Sequence, residues 1–253
     1  MKIEAVPSPN FNDRKVPVDM LVLHYTGMES GQAALDRMCD AEAEVSAHYM
    51  VWEDGRIAQM VGEDKRAWHA GVSSWQGDTD LNSRSIGIEI VNCGHEFPLM
   101  DGSLEPFPQE QIKAVIELCQ GILSRWNIPP SRIVGHSDIA PMRKEDPGEL
   151  FPWKHLSKAG IGFVPNAPTE GLNLIGRGLG VTDQGEAVER LQADLKAIGY
   201  DLEITGVYDN MAQKTVMAFQ RRWVQDRVTG DADMLTLRRI AQVHEAYSKG
   251  NFV

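Results

Sequence analysis

The stretch Ser85-Ile86-Gly87-Ile88-Glu89-Ile90 constrains this chain more tightly than any other. Read as a strand, it turns Ile86, Ile88 and Ile90 to one face and Ser85, Gly87 and Glu89 to the other. The isoleucines call for an apolar layer on their side. A glutamate in mid-strand is expensive if buried unpaired, so the opposite face must border a polar or ionic site. Further along, Ile112, Val115, Ile116, Cys119, Ile122, Leu123 and Trp126 make one apolar stripe on a helix over 109–126. Pro108 suits its start and Pro129-Pro130 stops it.

The neighbouring segments extend the pattern. Met20 to Gly27 runs from apolar to polar, with Val22 and His24 sharing one face, so His24 ends a buried strand beside a glycine turn. Residues 31–43 read as a helix with Leu35, Met38 and Cys39 on one side. Strands are expected over 47–52 and 56–61, joined at Glu53-Asp54-Gly55 by an Asp-Gly hairpin signal. Residues 7–17 wrap the surface, and 68–80 form an aromatic, glycine-containing loop. Strands alternating with helices make residues 1–160 an α/β domain with a mixed central sheet. Residues 160–182 hold six glycines and two prolines, which sets a linker at 161–182. After it the pattern turns helical: Val188, Leu191, Leu195 and Ile198, then Thr215, Val216 and Phe219, then Leu235, Leu237 and Ile240. Residues 183–253 are expected to form a small three-helix domain.

Chemistry concentrates in residues 135–148, Gly-His-Ser-Asp-Ile-Ala-Pro-Met-Arg-Lys-Glu-Asp-Pro-Gly. Its glycines and prolines predict a rigid loop rather than a helix or a strand, delivered by a short strand at 132–134. Two imidazoles, His24 and His136, with one carboxylate are a recurring ligand set for a catalytic zinc. Asp138 and Asp146 compete for the carboxylate place, and spacing does not separate them. Zinc would lower the pKa of a water to about 7. Attack on a carbonyl then needs a proton acceptor, for which Glu89 fits, and a cation near the oxyanion, for which Lys144 fits.

Formal net charge is −11, which argues against a nucleic-acid partner, since phosphate binding needs basic patches. The three cysteines, Cys39, Cys93 and Cys119, contain no CxxC and suggest neither a disulfide framework nor a cysteine metal knuckle. No run approaches a membrane span, and the first residues lack the apolar core of a secretion signal, so the expected compartment is the cytoplasm. No obligate protein partner is expected. His95, His155 and His244 are read as structural or exposed.

Several pieces together resemble the zinc-dependent N-acetylmuramoyl-L-alanine amidases of the type 2 group. These share a fold with phage T7 lysozyme and the peptidoglycan-recognition proteins. The matching pieces are Leu23-His24-Tyr25-Thr26, Ser46-Ala47-His48-Tyr49, Ala67-Trp68-His69-Ala70-Gly71, Leu81 to Glu89, and the 135–148 loop. The subgroup it is most similar to contains the bacterial amidases AmpD and AmiD. The resemblance implies zinc held by His24, His136 and Asp146, with Glu89 and Lys144 assisting hydrolysis and Asp138 steadying the loop. The implied substrates are peptidoglycan fragments, cut between the lactyl group of N-acetylmuramic or 1,6-anhydro-N-acetylmuramic acid and L-Ala. With no export signal, the expected role is recycling of anhydro-muropeptides in the cytoplasm. Tyr25, His69, Asn82, Arg84 and Arg143 are candidate substrate contacts, Arg143 being suited to a forked one. Trp68 and Trp75 are candidate stacking residues, and His48 a possible lining residue. Met142 departs from the glycine common at that place. Residues 185–220 resemble a three-helix peptidoglycan-binding domain. Action on intact wall, or binding without catalysis, are the competing functions.

Overall fold

A computed structural model describes residues 2–165 and 176–252. Its strands are β1 (Ile3–Ala5), β2 (Phe11–Asp13), β3 (Met20–Tyr25), β4 (Tyr49–Val51), β5 (Ile57–Gln59), β6 (Lys65–Ala67), β7 (Ser85–Ile90) and β8 (Ile133–Gly135). Its helices are α1 (Gly31–Cys39), α2 (Leu81–Arg84), α3 (Gln109–Arg125), α4 (His136–Ile139), α5 (Trp153–Lys158), α6 (Glu186–Ile198), α7 (Asn210–Trp223) and α8 (Met234–Lys249).

Six strands form one mixed sheet in the order β1-β5-β4-β7-β3-β8. β7, β3 and β8 run parallel side by side, and β4 and β5 form the antiparallel hairpin expected at Asp54-Gly55. Alternation decides what each face meets. Leu21, Leu23, Ile86, Ile88 and Ile90 share an apolar cluster with Ile112, Val115, Cys119 and Ile122 of α3, so that helix covers one face. The opposite face of β3 carries Met20, Val22 and then His24; β7 sets Glu89 directly beside His24 in register. Ligand sites of α/β sheets lie beyond the carboxyl ends of such strands, where β3, β7 and β8 here deliver His24, Glu89 and His136.

Two expectations need correction. The first helix stops at Cys39, because Asp40 turns extended (φ −83°, ψ 123°) and uses its carboxylate to cap a separate turn at Ala41–Ala43. The 135–148 segment is not all loop: His136–Ile139 makes one helical turn, stabilised by Asp138 accepting from the Gly135 N–H at 2.9 Å.

The second unit is three helices, two of them opened by aspartates: Asp209 accepts from Ala212 N and Asp233 from Thr236 N, each at 2.8 Å. It lies against the sheet face not covered by α3. Met20, Val22 and Val134 share one apolar cluster with Trp75 and with Leu195, Ile198, Tyr200 and Phe219. Gly199 (φ 140°) permits this approach, since a Cβ there would sit 2.9 Å from the Trp75 ring. Of the linker expected at 161–182, residues 166–175 lie outside the described residues; Ile161 and Phe163 before them are buried, and Leu179 after them pairs with Ala232. No helix among the described residues is long and apolar enough to cross a membrane.

Candidate active site

His24 Nδ1, His136 Nδ1 and Asp146 Oδ2 form a triangle with sides of 2.9, 3.0 and 3.0 Å, and all three residues are buried. The backbone arranges this meeting. His24 ends β3, His136 opens α4, and the Ser137 N–H donates to the Asp146 carbonyl at 2.9 Å, drawing the two ends of the loop together.

The surrounding hydrogen bonds fix which nitrogens carry protons. A carbonyl only accepts, so Ser85 Oγ–H donates to Leu81 O at 2.6 Å and must accept from His69 Nε2–H at 3.2 Å. His69 Nδ1 then accepts from His24 Nε2–H at 3.0 Å, which leaves a lone pair on His24 Nδ1. From the other side, His136 Nε2–H donates to Ala70 O at 3.1 Å, leaving a lone pair on His136 Nδ1. Burial pushes His24 down to about 4, His136 adding to it, so the ring is neutral at pH 7. Three lone pairs therefore face one point with no proton between them. A small cation satisfies all three at once; around a tetrahedral zinc, such donors stand about 3.3 Å apart. The donor set thus fits a divalent metal, and each imidazole has the outer hydrogen bond that orients a metal ligand. These are also the three described residues whose ligating atoms all lie within 4.8 Å of one another.

Gly87 makes the relay possible. A Cβ at that position would lie 2.4 Å from the His69 ring, so the strand must lack a side chain where the imidazole stacks on it.

The triad opens into a cavity of about 680 Å³, lined also by Tyr25, Trp68, His69, Glu89, Phe97, Met142, Arg143 and Lys144. Glu89 Oε2 is buried with no hydrogen-bond partner. Desolvation holds its carboxyl well above the usual carboxylate range, Asp146 adding to the rise and Lys144 opposing it. Tyr25 OH bonds His95 Nδ1 at 2.9 Å.

Other predicted contacts are occupied elsewhere. Arg84 does not line the cavity; its guanidinium is paired with Asp19 and Asp78, each at 2.6 Å. Asn82 also lies off the cavity, where its Oδ1 accepts from the backbone N–H groups of His69 and Ala70 at 3.0 and 2.7 Å. It supports the loop that carries His69. Arg143 lines the cavity, but it donates to the carbonyls of Ala70 and Val72 rather than offering an open fork. Trp75 is fully buried against Tyr200, with its indole N–H on Ser131 O. His48 is buried too, accepting from Gly87 N. Asp138 faces away from the triad, toward Tyr200 OH at 2.7 Å and Arg222 at 3.0 Å.

Sequence reading missed Ser85 as the end of the histidine relay, and Phe97 and Lys214 as lining residues. Ser85 was legible in principle, since it shares the face of Glu89. Lys214 carries no local signal, because only docking of the second unit brings it to the cavity.

Comparison with known proteins bears on this site. The family profile described as N-acetylmuramoyl-L-alanine amidase matches residues 14–149, and that described as a putative peptidoglycan binding domain matches 184–240. The N-acetylmuramoyl-L-alanine amidase AmiD of Escherichia coli is 36% identical over 241 residues, covering 92% of this chain and 84% of that protein. The 1,6-anhydro-N-acetylmuramyl-L-alanine amidase AmpD of Haemophilus influenzae is 36% identical over 169 residues, covering 59% of this chain and 87% of that one. Among solved structures, E. coli AmiD in complex with anhydro-N-acetylmuramic acid-L-Ala-D-γ-Glu-L-Lys superposes with a TM-score of 0.78 at 35% identity, covering 93% and 91% of the two chains. AmpDh3 of Pseudomonas aeruginosa, in complex with an anhydromuramic pentapeptide, gives 0.73 at 31%, covering 91% and 92%.

Proposed function

The chain belongs to the N-acetylmuramoyl-L-alanine amidases, and on that footing we propose that it is a zinc enzyme that releases stem peptides from soluble anhydro-muropeptides, a recycling reaction. The observation that carries this reading is the proton-free triangle of His24, His136 and Asp146 at the floor of a cavity that also holds Glu89. Held by those three side chains, zinc supplies Lewis acidity toward a carbonyl and toward a water.

The chain's own groups do the rest. Glu89 takes a proton from the attacking water and returns it to the nitrogen of L-Ala as the C–N bond breaks, so the peptide leaves as an amine. Its lack of any hydrogen-bond partner and its raised affinity for a proton support this shuttle. The Lys144 ammonium faces the charge that develops on the carbonyl oxygen. Tyr25 and Trp68 bound the groove that orients the sugar and peptide. Incubating the purified protein with zinc and anhydro-muramoyl tripeptide should release free peptide, and chelation should stop it. Intact substrate after long incubation overturns the reading.

The match at 184–240 favours a second reading, in which the helical unit brings the enzyme to intact wall. Faster release from purified sacculi than from soluble fragments would select it.

A further inference from the structure

One side chain of the cavity comes from outside the α/β unit. It is Lys214, on the second turn of α7. Residues 214, 218 and 221 recur on one face of that helix, and this face is turned to the 135–151 segment. Ala218 is fully buried there, and its small side chain permits close approach. Arg221 pairs with Glu145 at 2.5 Å, and Gln225, just past the helix, donates to the carbonyls of Glu149 and Phe151. Arg222 beside them bonds Asp138 and the Ile133 carbonyl. The helix that carries Lys214 is thus fixed to both ends of the segment that carries His136 and Asp146.

Lys214 is half-buried, and it forms no ion pair with any described carboxylate; Glu145, an acid of the same cavity, is already engaged by Arg221. The other cations lining the cavity differ. Arg143 is spent on backbone carbonyls, Lys144 lies close enough to Glu89 to draw its raised pKa back down, and Arg37 is exposed. An ammonium partly withdrawn from water without a counter-charge is stabilised by an anionic ligand.

The peptide in the E. coli complex is linked through the γ-carboxyl of D-Glu, a linkage that leaves the α-carboxylate of that residue free. We propose that Lys214 binds a free carboxylate of the stem peptide, so that the helical unit completes the substrate site and selects acidic over amidated stems. This rests on the amidase reading above.

The test uses the full chain loaded with zinc and two substrates. One is anhydro-muramoyl-L-Ala-D-γ-Glu-L-Lys; the other carries an amide in place of the glutamate α-carboxylate. Wild type should prefer the acid by about fivefold in kcat/KM, chiefly through KM, as for one partly exposed charge pair. Lys214→Met should lose that preference, with an unchanged Tm, and Lys214→Arg should restore it. The inference is overturned if Lys214→Met keeps the wild-type ratio, or if Arg37→Met abolishes the preference instead. No turnover of either substrate by wild type would sink the amidase reading itself, a distinguishable outcome.

Discussion

Asp146 and Asp138 are both buried, both lie in the segment after β8, and have opposite surroundings. Asp138 is saturated: it accepts from Gly135 N–H, Tyr200 O–H and the Arg222 guanidinium, a pair in which both side chains are about 1% exposed. Arg222 is held in turn between the rings of Trp153 and Trp223. Asp146 instead shares a point in space with two imidazole lone pairs. One carboxylate is complete without a ligand, and the other is complete only with one. Satisfied polar clusters hold a fold together, whereas a cluster left one cation short marks where binding happens.

The sharpest way to break that contrast is to neutralise each acid. Asp146→Asn should lower activity by roughly a thousandfold or more and abolish stoichiometric zinc, because the anionic donor is gone. Metal analysis and peptide release measure both losses. The fold of the metal-free protein should barely change. Should Asp146→Asn unfold the apo protein as readily as a change at Asp138, the two carboxylates are not different in kind.

Glu89→Gln should cost about 10²–10⁴-fold in kcat while leaving bound zinc in place. It keeps the shape of the side chain and removes the carboxylate proposed to shuttle the proton. Full zinc occupancy with full activity in this variant would remove Glu89 from the mechanism.

Asp138→Asn is the stability counterpart. It leaves Arg222 buried without its counter-charge, for an expected loss of about 3–5 kcal/mol of folding stability. Denaturant unfolding reads the loss directly. A smaller secondary loss of activity is expected, because His136 and Asp138 share the turn α4.

How much of this contrast is legible in the sequence follows from range. β7 and nearly all of α3 are readable, because their periods of 2 and 3.6 are local properties. The side chains of the His24, His136 and Asp146 triangle are readable as types, since strand ends and a Gly/Pro-rich segment expose them. Their partners are not. Arg84 had the chemistry to hold a substrate carboxylate, yet the fold gave it Asp19 and Asp78. Trp75 resembled a stacking residue, but the second unit packed Tyr200 against it. Asp138 looked like a rival ligand until Arg222, 84 positions away, claimed it. Short-range pattern says which groups are present, and long-range packing decides which are already engaged.

His95 supplies the mildest test, because it stands between the two regimes. Its Nε2 lies 3.2 Å from Glu149 and its Nδ1 3.8 Å from Glu145, acids that Arg221 also contacts. The hydrogen bond that His95 Nε2–H donates to Glu149 raises its pKa above 6.5, burial opposing, with both glutamates adding attraction. A raised histidine stabilises the fold in its charged form. The contribution is therefore fully present below about pH 6.5 and fades as pH rises through the raised value. The buried rings have the opposite sign: His48, lowered to about 3 by burial and Arg14, and His24, lowered to about 4, bind protons more readily when unfolded. Their contribution is lost as pH falls below about 6.5. His95→Gln should therefore cost more folding stability at pH 6 than at pH 8.5, read from Tm or denaturant midpoints, with the difference below about 1 kcal/mol for a partly exposed pair. An equal decrement at both pH values would mean that His95 acts through its bond to Tyr25 rather than through charge, and would move it to the side of Asp138.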